Sequence, residues 1–251
     1  MDYSSILSHF NITELNEMQK TTISAISQPN DVILISPTGS GKTLAFLLPV
    51  LQLLKADNNV QVLILVPSRE LAIQIEKVFK QMSTPYKINC CYGGHSVRIE
   101  ENNLQNPPSV LVGTPGRIAH HLRRKKLILS NTHTLILDEF DKSLELGFKD
   151  EMEFIIQQCK SLKKRILTSA TKLDEIPSFV GLNNNIELNY TTEHEELKPS
   201  LTLKYVRVKG DDKSEALLLL LSKIGNKTAI VFCNHREAVN RISEQLNLYR
   251  P

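Results

Sequence analysis

The chain has 251 residues, of which 41% are hydrophobic and 23% charged, and its net charge is +3. These values lie within the range of ordinary globular proteins and argue against a fibrous or disordered chain. No apolar run approaches the roughly 18 residues that span a bilayer, and the N-terminus shows no basic segment followed by an apolar core, so neither a membrane span nor a secretory signal is expected.

Short β-rich runs alternate with longer helical patterns along most of the chain. Several of the short runs are continuously apolar, which is typical of parallel strands buried on both faces. The pattern predicts strands at 31–36, 61–66, 87–92, 109–112, 134–137 and 165–168. It predicts helices between them at 42–55, 69–81, 116–124 and 149–160.

This alternation predicts right-handed βαβ crossovers, and therefore an α/β fold with a doubly wound, mostly parallel sheet and helices on both faces. In such sheets ligands bind at the carboxyl ends of the strands, so the residues that follow each strand are the candidates for function.

The chain is predicted to contain more than one domain. A first domain covers residues 1–190, and the polar segment 191–202 is a candidate linker. Residues 203–251 are predicted to form the first βα units of an incomplete second domain. Its strands are expected at 203–208 and 228–232, and its helices at 213–224 and 236–246. Two βα units are too few to close a core of their own.

A phosphate-binding pattern follows the first predicted strand and leads directly into an apolar helix. Glycines allow successive backbone N–H groups to surround a phosphate, and the helix N-terminus adds the positive end of its dipole. Lys42 can then reach the terminal phosphates, and the hydroxyl of Thr43 can bind Mg²⁺. Ser36 stands where the strict pattern has glycine. The predicted nucleotide-binding residues are Pro37, Thr38, Gly39, Ser40, Gly41, Lys42 and Thr43.

Two acids follow the predicted strand 134–137. Asp138 is placed to hold Mg²⁺ directly or through water, and Glu139 is placed to act as general base on the attacking water. A solvated acidic turn is the alternative, but the phosphate loop upstream favours the metal site. Lys42, Asp138 and Glu139 are therefore the predicted catalytic residues, and Thr43 and Asp138 the predicted metal ligands.

Cysteine and histidine spacings indicate no further metal site. Cys90, Cys91, Cys159 and Cys233 form no CxxC pair, which favours a reducing cytoplasm and burial of each thiol as a small hydrophobic group. His120 and His121 have no metal-spaced partner and are interpreted as structural.

Eight short motifs occur in a fixed order along nearly the whole chain, and together they resemble those of the DEAD-box RNA helicases of superfamily 2. The resemblance rests on Gln19 in the position of the family's adenine-reading glutamine, Thr38–Thr43 (TGSGKT), Pro67–Leu71 (PSREL, like PTREL), Gly93-Gly94 (GG), Thr114–Arg117 (TPGR), Asp138–Asp141 (DEFD, like DEAD), Ser169–Thr171 (SAT) and Ile230–Asn234 (IVFCN).

The resemblance implies a RecA-like P-loop NTPase domain followed by an incomplete second RecA-like domain. It also implies an ATP-dependent RNA helicase that binds ATP and Mg²⁺ and contacts RNA through its sugar-phosphate backbone. Implied RNA-binding residues are Pro67, Ser68, Arg69, Gly93, Gly94, Thr114, Pro115, Gly116 and Arg117. Residues implied to couple the nucleotide state to RNA binding are Asp141, Ser169, Ala170 and Thr171.

The sequence departs from the family pattern at several positions. Phe140 replaces the family's alanine beside the metal site, and Leu15 and Asn16 replace Pro-Thr before Gln19. Tyr3 is the available stand-in for the aromatic residue that stacks on adenine. The basic run 123–126 is interpreted as a solvated helix end rather than an RNA contact.

Two alternative functions stay open. One is a DNA helicase or translocase of the same superfamily, and the other is a non-catalytic, ATP-gated RNA clamp. Whichever applies, this chain alone is expected to hydrolyse ATP poorly, because the arginines that face the γ-phosphate belong to motifs of the second domain, and an arginine finger contributes about 10³ to 10⁵ in rate.

Overall fold

The structure, a computed structural model, describes residues 3–191, 202–208 and 213–248. The chain divides into two compact units, Met1–Leu197 and Lys198–Pro251. Among the described residues no helix is both long enough and apolar enough to cross a membrane. The linker predicted at 191–202 falls almost wholly outside the described residues, so the domain boundaries stay predictions.

The first unit contains a seven-stranded sheet in which every pair of neighbours is parallel. Its spatial order is β3-β4-β2-β5-β6-β1-β7. The strands are β1 Val32–Ile35, β2 Val62–Leu65, β3 Ile88–Cys91, β4 Val110–Gly113, β5 Thr134–Leu137, β6 Lys164–Ser169 and β7 Ile186–Asn189. The predicted α/β fold with a parallel sheet is confirmed.

Helices connect the strands. In chain order they are α1 Ser4–Ser8, α2 Glu17–Ser27, α3 Lys42–Leu53, α4 Arg69–Gln81, α5 Val97–Leu104, α6 Pro115–Arg123, α7 Phe140–Glu145 and α8 Lys149–Gln158, followed by a 3₁₀ helix at Ser178–Val180. The second unit contains α9 Ser214–Ile224 and α10 Arg236–Leu248.

Side chains of the central strands pack alternately into two cores. In β1, Val32 lies in the core that α1 to α4 cover, whereas Ile33 lies in the core that α5, α6 and α8 cover. Central strands are buried on both faces, as the continuous apolar runs predict. The result is a rigid sheet whose carboxyl edge carries the loops described below.

The strand order divides that carboxyl edge into two sides. On one side, β6 lies between β1, which precedes the phosphate loop, and β5, which precedes Asp138. On the other side lie β2, β4 and β3, which precede residues 67–71, 114–117 and 93–94. We call these the acidic side and the basic side of the edge.

The boundaries of the predicted elements in the first unit agree with the structure to within about two residues, which is the usual uncertainty of helix and strand ends. The prediction missed β7, α1, α2, α5 and α7. β7 is an edge strand that alternates partly buried and exposed residues, and no helix was predicted in the segments that contain α1, α2, α5 and α7.

In the second unit the two predicted helices are present, but the two predicted strands are wrong. Residues 202–208 and 228–232 form no strand, and no described residue from 202 to 248 is buried. Phe232, for example, is 91% exposed. A strand is stabilised by ladder hydrogen bonds and by burial of one face, and neither is present here.

Candidate functional site

The phosphate loop joins β1 to α3 and holds Lys42 in place. The ammonium of Lys42 is buried and donates hydrogen bonds to the carbonyl oxygens of Ser36 (2.6 Å) and Pro37 (3.3 Å). Burial lowers the pKa of Lys42, while the charges of Asp138 and Glu139 oppose that shift. The loop thus presents a cation at the N-terminus of α3, where phosphate groups bind.

Gln19 and Asn16 fasten the start of α2 to the phosphate loop. Asn16 caps α2. Its side-chain oxygen accepts a hydrogen bond from the backbone N–H of Gln19, and the side-chain oxygen of Gln19 accepts one from the backbone N–H of Asn16. The Gln19 amide group also donates to the carbonyl of Gly41 (3.2 Å), and the Asn16 amide group donates to the carbonyl of Ser40 (3.1 Å). Asn16 therefore fills the capping role at this position.

Gly41 is required where it stands for two reasons. Its φ of +91° lies in the left-handed region, and a Cβ atom there would lie 2.5 Å from Nε2 of Gln19. Side chains rarely adopt such a φ, so the loop conformation and the close approach of Gln19 both depend on glycine. The Gln19 amide retains a second hydrogen and a second lone pair for a base edge.

Asp138 is buried at the end of β5 and lacks full charge compensation. Burial raises its pKa to about 6, against the lowering effects of a hydrogen bond from Thr168 and of the charge of Lys42. A buried carboxylate with a raised pKa favours an additional cation, and carboxylate and hydroxyl oxygens are the ligands Mg²⁺ prefers. The donor set of Asp138 with Thr43 therefore fits Mg²⁺.

Glu139 follows Asp138 in an unusual backbone conformation. Its φ of 49° and ψ of 52° are left-handed, which is uncommon outside glycine and is often found at functional sites. Its backbone amide donates to the hydroxyl of Thr168 (3.1 Å). The same hydroxyl contacts Asp138, so one residue of β6 holds both acids.

Asp141, which follows Asp138 and Glu139 in the chain, contacts the loop after β6. Its carboxylate accepts a hydrogen bond from the hydroxyl of Thr171 (3.1 Å), and the backbone amide of Thr171 donates to the hydroxyl of Ser169 (3.2 Å). Ala170 lies between them. Phe140 is 1% exposed and belongs to the same core cluster as Met152 and Ile155 of α8, and the contact between Asp141 and Thr171 is present beside it.

An open cavity of about 300 Å³ lies between the phosphate loop and the acids Asp138 and Glu139, and Gln19 is not part of its lining. Its size lies at the lower end of the range of small-molecule sites. Its lining includes Phe10, Thr38, Lys42, Thr43, Asp138 and Glu139. Tyr3, by contrast, packs in the core and contacts Gln52 through its hydroxyl, so Phe10 is the aromatic residue at the cavity.

The basic side begins after β2 with Pro67, Ser68 and Arg69. Pro67 is buried, and the hydroxyl of Ser68 caps α4 by accepting from the amide of Leu71 (3.2 Å). The Arg69 side chain is exposed and pairs with its neighbour Glu70 at 2.7 Å. Arg69 is therefore accessible to a polyanion.

The other two strands of the basic side end in the glycine turn and in α6. Gly93 and Gly94 are exposed, and Gly94 has a φ of +85°. Thr114 occupies the N-cap position of α6, and Pro115 occupies its first turn. Gly116 is exposed, so the helix N-terminus is open on one face.

A buried carboxylate, Glu100, joins these two segments. It lies on α5 and accepts hydrogen bonds from the backbone amide of Tyr92 (3.0 Å) and from Arg117 (3.2 Å). The ring nitrogens of His95 and His121 lie 3.3 and 2.7 Å from its oxygens. Burial alone would raise the pKa of Glu100, but the hydrogen bonds from His121 and Tyr92 and the charge of Arg117 lower it.

Sequence reasoning missed Thr168, Phe10 and Glu100. Thr168 directly precedes the SAT motif at the end of a predicted strand, which is a signal that could have identified it. Glu100 is one acid within an amphipathic helix, and its partners come from other elements. No spacing in the sequence indicates that contact.

The family model described as DEAD/DEAH box helicase matches residues 16–177. A curated relative, the ATP-dependent RNA helicase DeaD of Buchnera aphidicola, is 34% identical across 95% of this chain and 42% of its own length. The DEAD-box ATP-dependent RNA helicase CshA of Geobacillus kaustophilus is 34% identical across 94% of this chain and 51% of its own length.

Solved structures also resemble this chain. A hypothetical ATP-dependent RNA helicase from Sulfolobus tokodaii matches with a TM-score of 0.70 at 27% identity, over 97% of this chain and 71% of that one. A DEAD box protein from Methanococcus jannaschii matches with a TM-score of 0.70 at 28% identity, over 96% of this chain and 66% of that one. The chain spans about half the length of these curated relatives.

Proposed function

The chain belongs to the DEAD/DEAH box helicase family, and we propose that it binds MgATP and the sugar-phosphate backbone of RNA. In the whole protein, ATP hydrolysis would be coupled to local separation of RNA duplexes. Its proposed location is the cytoplasm.

One observation carries the nucleotide part of this proposal. The cavity on the acidic side brings the phosphate loop, with Lys42 and Thr43, to the same space as Asp138 and Glu139. Phosphoryl transfer depends mainly on positioning and charge stabilisation, and these groups supply a cation, a hydroxyl and two acids at one place.

Each side chain has a distinct chemical task. Lys42 neutralises charge on the terminal phosphates, and Gln19 donates to and accepts from the adenine edge. Glu139 accepts a proton from the water whose oxygen bonds to the γ-phosphorus, while the bond from that phosphorus to the β–γ bridging oxygen breaks and ADP leaves. Mg²⁺, held by Asp138 and Thr43, would supply further charge neutralisation on the phosphates.

The basic side is proposed to bind RNA. Arg69, Arg117 and the exposed backbone of Gly93 and Gly94 offer donors to phosphate oxygens, which fix position on a strand without reading its bases. The contact of Thr171 with Asp141 links the loop after β6 to the acids, and this link is proposed to transmit the nucleotide state to RNA binding.

Calorimetry on this chain tests the nucleotide assignment. With Mg²⁺ present, ATP should bind more tightly than GTP, because unmade hydrogen bonds to Gln19 cost about 1 kcal/mol or more each. Lys42→Ala should weaken ATP binding by about tenfold or more, since a hydrogen bond to a charged group is lost. Glu139→Gln is the matched variant, because it keeps size and should leave binding unchanged while stopping hydrolysis in the whole protein.

Equal affinity for ATP and GTP would contradict the role of Gln19, and unchanged binding by Lys42→Ala would contradict the site itself. Competition between single-stranded RNA and single-stranded DNA of the same sequence tests the partner. Preference for DNA would favour the translocase alternative.

A further inference from the structure

The strongest unassigned feature outside the acidic side is the cluster around Glu100, which we call the Glu100 cluster: Cys91, Tyr92, His95, Glu100, Arg117 and His121. The side chains of Glu100 and His121 are fully buried, and that of Arg117 is 13% exposed. Buried charged groups are costly unless paired, so such a cluster requires an explanation.

A metal site is the first possibility to consider. Ligand atoms of Cys91, Glu100 and His121 lie within 4.8 Å of one another, and sulfur, oxygen and nitrogen donors suit zinc. However, Arg117 lies 3.2 Å from Glu100 and would repel a metal ion. Burial and the charge of Glu100 also raise the pKa of Cys91, which disfavours the thiolate that a metal requires.

The second possibility is that the cluster holds two segments of the chain together, as the elements that it connects indicate. Glu100 accepts hydrogen bonds from the end of β3, at Tyr92, and from α6, at Arg117. These two elements carry the glycine turn and the TPGR segment. One carboxylate on α5 therefore fixes both segments of the basic side relative to each other.

Arg117 is held at two points. One terminal nitrogen donates to Glu100 (3.2 Å), and the other donates to the carbonyl of His95 (3.3 Å). A guanidinium has five N–H donors in a rigid plane, so two such contacts fix its orientation while other donors remain available. The exposed part of the side chain is then presented in one orientation.

We propose that Glu100 is a positioning residue for RNA binding: it orients Arg117 and locks α6 to the glycine turn, so that both meet the same stretch of phosphate backbone. This inference rests on the proposed RNA function of the basic side. A fixed guanidinium loses less conformational freedom on binding than a free one, which increases affinity.

Whether Glu100→Gln weakens or strengthens RNA binding distinguishes a positioning role from simple charge repulsion. A carboxylate near a polyanion repels it, so by Coulomb's law alone Glu100→Gln would strengthen RNA binding. Positioning predicts the opposite, because glutamine has one acceptor oxygen where Glu100 has two, and the charged contact with Arg117 is lost. We expect Glu100→Gln to bind single-stranded RNA about tenfold more weakly, the size of a lost hydrogen bond to a charged group.

The experiment measures anisotropy of a labelled single-stranded RNA with the 251-residue chain over a range of salt concentrations. Glu101→Gln is the matched control. It removes the same charge from the residue next to Glu100, and the carboxylate of Glu101 pairs with Arg124 instead of Arg117. It should bind RNA equally or slightly more tightly. ATP affinity of each variant verifies that the acidic side is intact.

A double-mutant cycle and a charge-preserving variant make the test specific. If Glu100 acts through Arg117, then Glu100→Gln adds no further loss to Arg117→Ala. Arg117→Ala should also reduce the salt slope by about 0.7, the value for one phosphate contact on a single strand. Should Glu100→Gln fail to fold, Arg117→Lys serves, since it keeps the charge but cannot make both contacts and should also weaken binding.

The outcomes are distinguishable. If Arg117→Ala weakens RNA binding but Glu100→Gln does not, the positioning role is wrong and the proposed function stands. If neither Arg117→Ala nor Arg69→Ala weakens binding, the RNA function of the basic side is wrong. A zinc-dependent rise in melting temperature that is absent in Cys91→Ser would assign the cluster to a metal and overturn the proposal.

Discussion

Two buried carboxylates at the same edge of the sheet have pKa values that are shifted in opposite directions from the ordinary value. Asp138, on the acidic side, is 3% exposed and burial raises its pKa to about 6. Glu100, on the basic side, is 1% exposed, yet its pKa is lowered. Burial raises the pKa of both carboxylates, so the partners of each one contribute to the difference.

The difference lies in the partners of each carboxylate. Thr168 donates to Asp138, and the ammonium of Lys42 is directed at backbone carbonyls. Glu100 instead accepts a backbone amide and a guanidinium and lies against two imidazoles. A carboxylate short of partners is suited to gaining a ligand, whereas a fully engaged one is suited to holding structure.

Removal of each carboxylate in turn should affect the stability of the protein very differently. Glu100→Ala should lower the free energy of unfolding by about 3–5 kcal/mol, because the largely buried charge of Arg117 loses its carboxylate partner. Asp138→Asn, which keeps the shape, should change it by no more than about 1 kcal/mol or raise it, because a poorly compensated charge is removed. Urea unfolding at neutral pH measures both.

Glu101→Ala, from the adjacent position on α5, is the control for helix effects. If Asp138→Asn destabilises the protein as much as Glu100→Ala, the contrast between the two carboxylates is wrong.

The two carboxylates should also differ in how they make stability depend on pH. The raised pKa of Asp138 means that the folded state binds more protons than the unfolded state between about pH 4 and about pH 6, so this group's contribution to stability falls as the pH rises through that window. The lowered pKa of Glu100 has the opposite effect: its contribution is present above the ordinary range and is lost as the pH falls through the lowered pKa.

Urea unfolding of the wild type and of Asp138→Asn at about pH 4.5 and about pH 7 tests this expectation. The wild type should lose stability relative to the variant between the two values. A constant difference would show that Asp138 titrates at its ordinary pKa.

The smallest effect is expected where an acid is paired but exposed. The Glu70 carboxylate lies 2.7 Å from Arg69, and both side chains are more than half exposed. Solvent and salt screen such a pair, so Glu70→Gln should leave the midpoint of urea unfolding unchanged. A clear shift of this midpoint would mean that an ion pair stabilises the protein without being buried, so that burial would not be needed to explain the stabilising effect of Glu100.

Much of the first unit could be predicted from the sequence because its signals are local. Apolar runs such as 134–137 determine buried strands, and the phosphate-loop pattern needs only neighbouring residues. The helix at Arg69–Gln81 was predicted with both ends correct, because an N-cap serine precedes its strongly amphipathic pattern.

The features that escaped prediction depend on contacts between distant segments. Arg117 and Glu100 are 17 positions apart and meet only because β3 and β4 are neighbours in the sheet. The strands predicted at 203–208 and 228–232 failed for the converse reason: their apolar residues give a strand signal, but strand formation also requires a pairing partner.

The register of β6 determines that the side chain beside Asp138 and Glu139 is that of Thr168. Its hydroxyl contacts the carboxylate of Asp138 and accepts from the amide of Glu139 only because β6 pairs with β5 with Leu137 opposite Leu167. Successive side chains of a strand point to opposite faces, so a slip of one residue would turn the Thr168 hydroxyl to the other face of the sheet, away from Asp138 and Glu139. The alignment of two strands, which is set by packing along their whole length, thus determines how Asp138 and Glu139 are held at the end of β5.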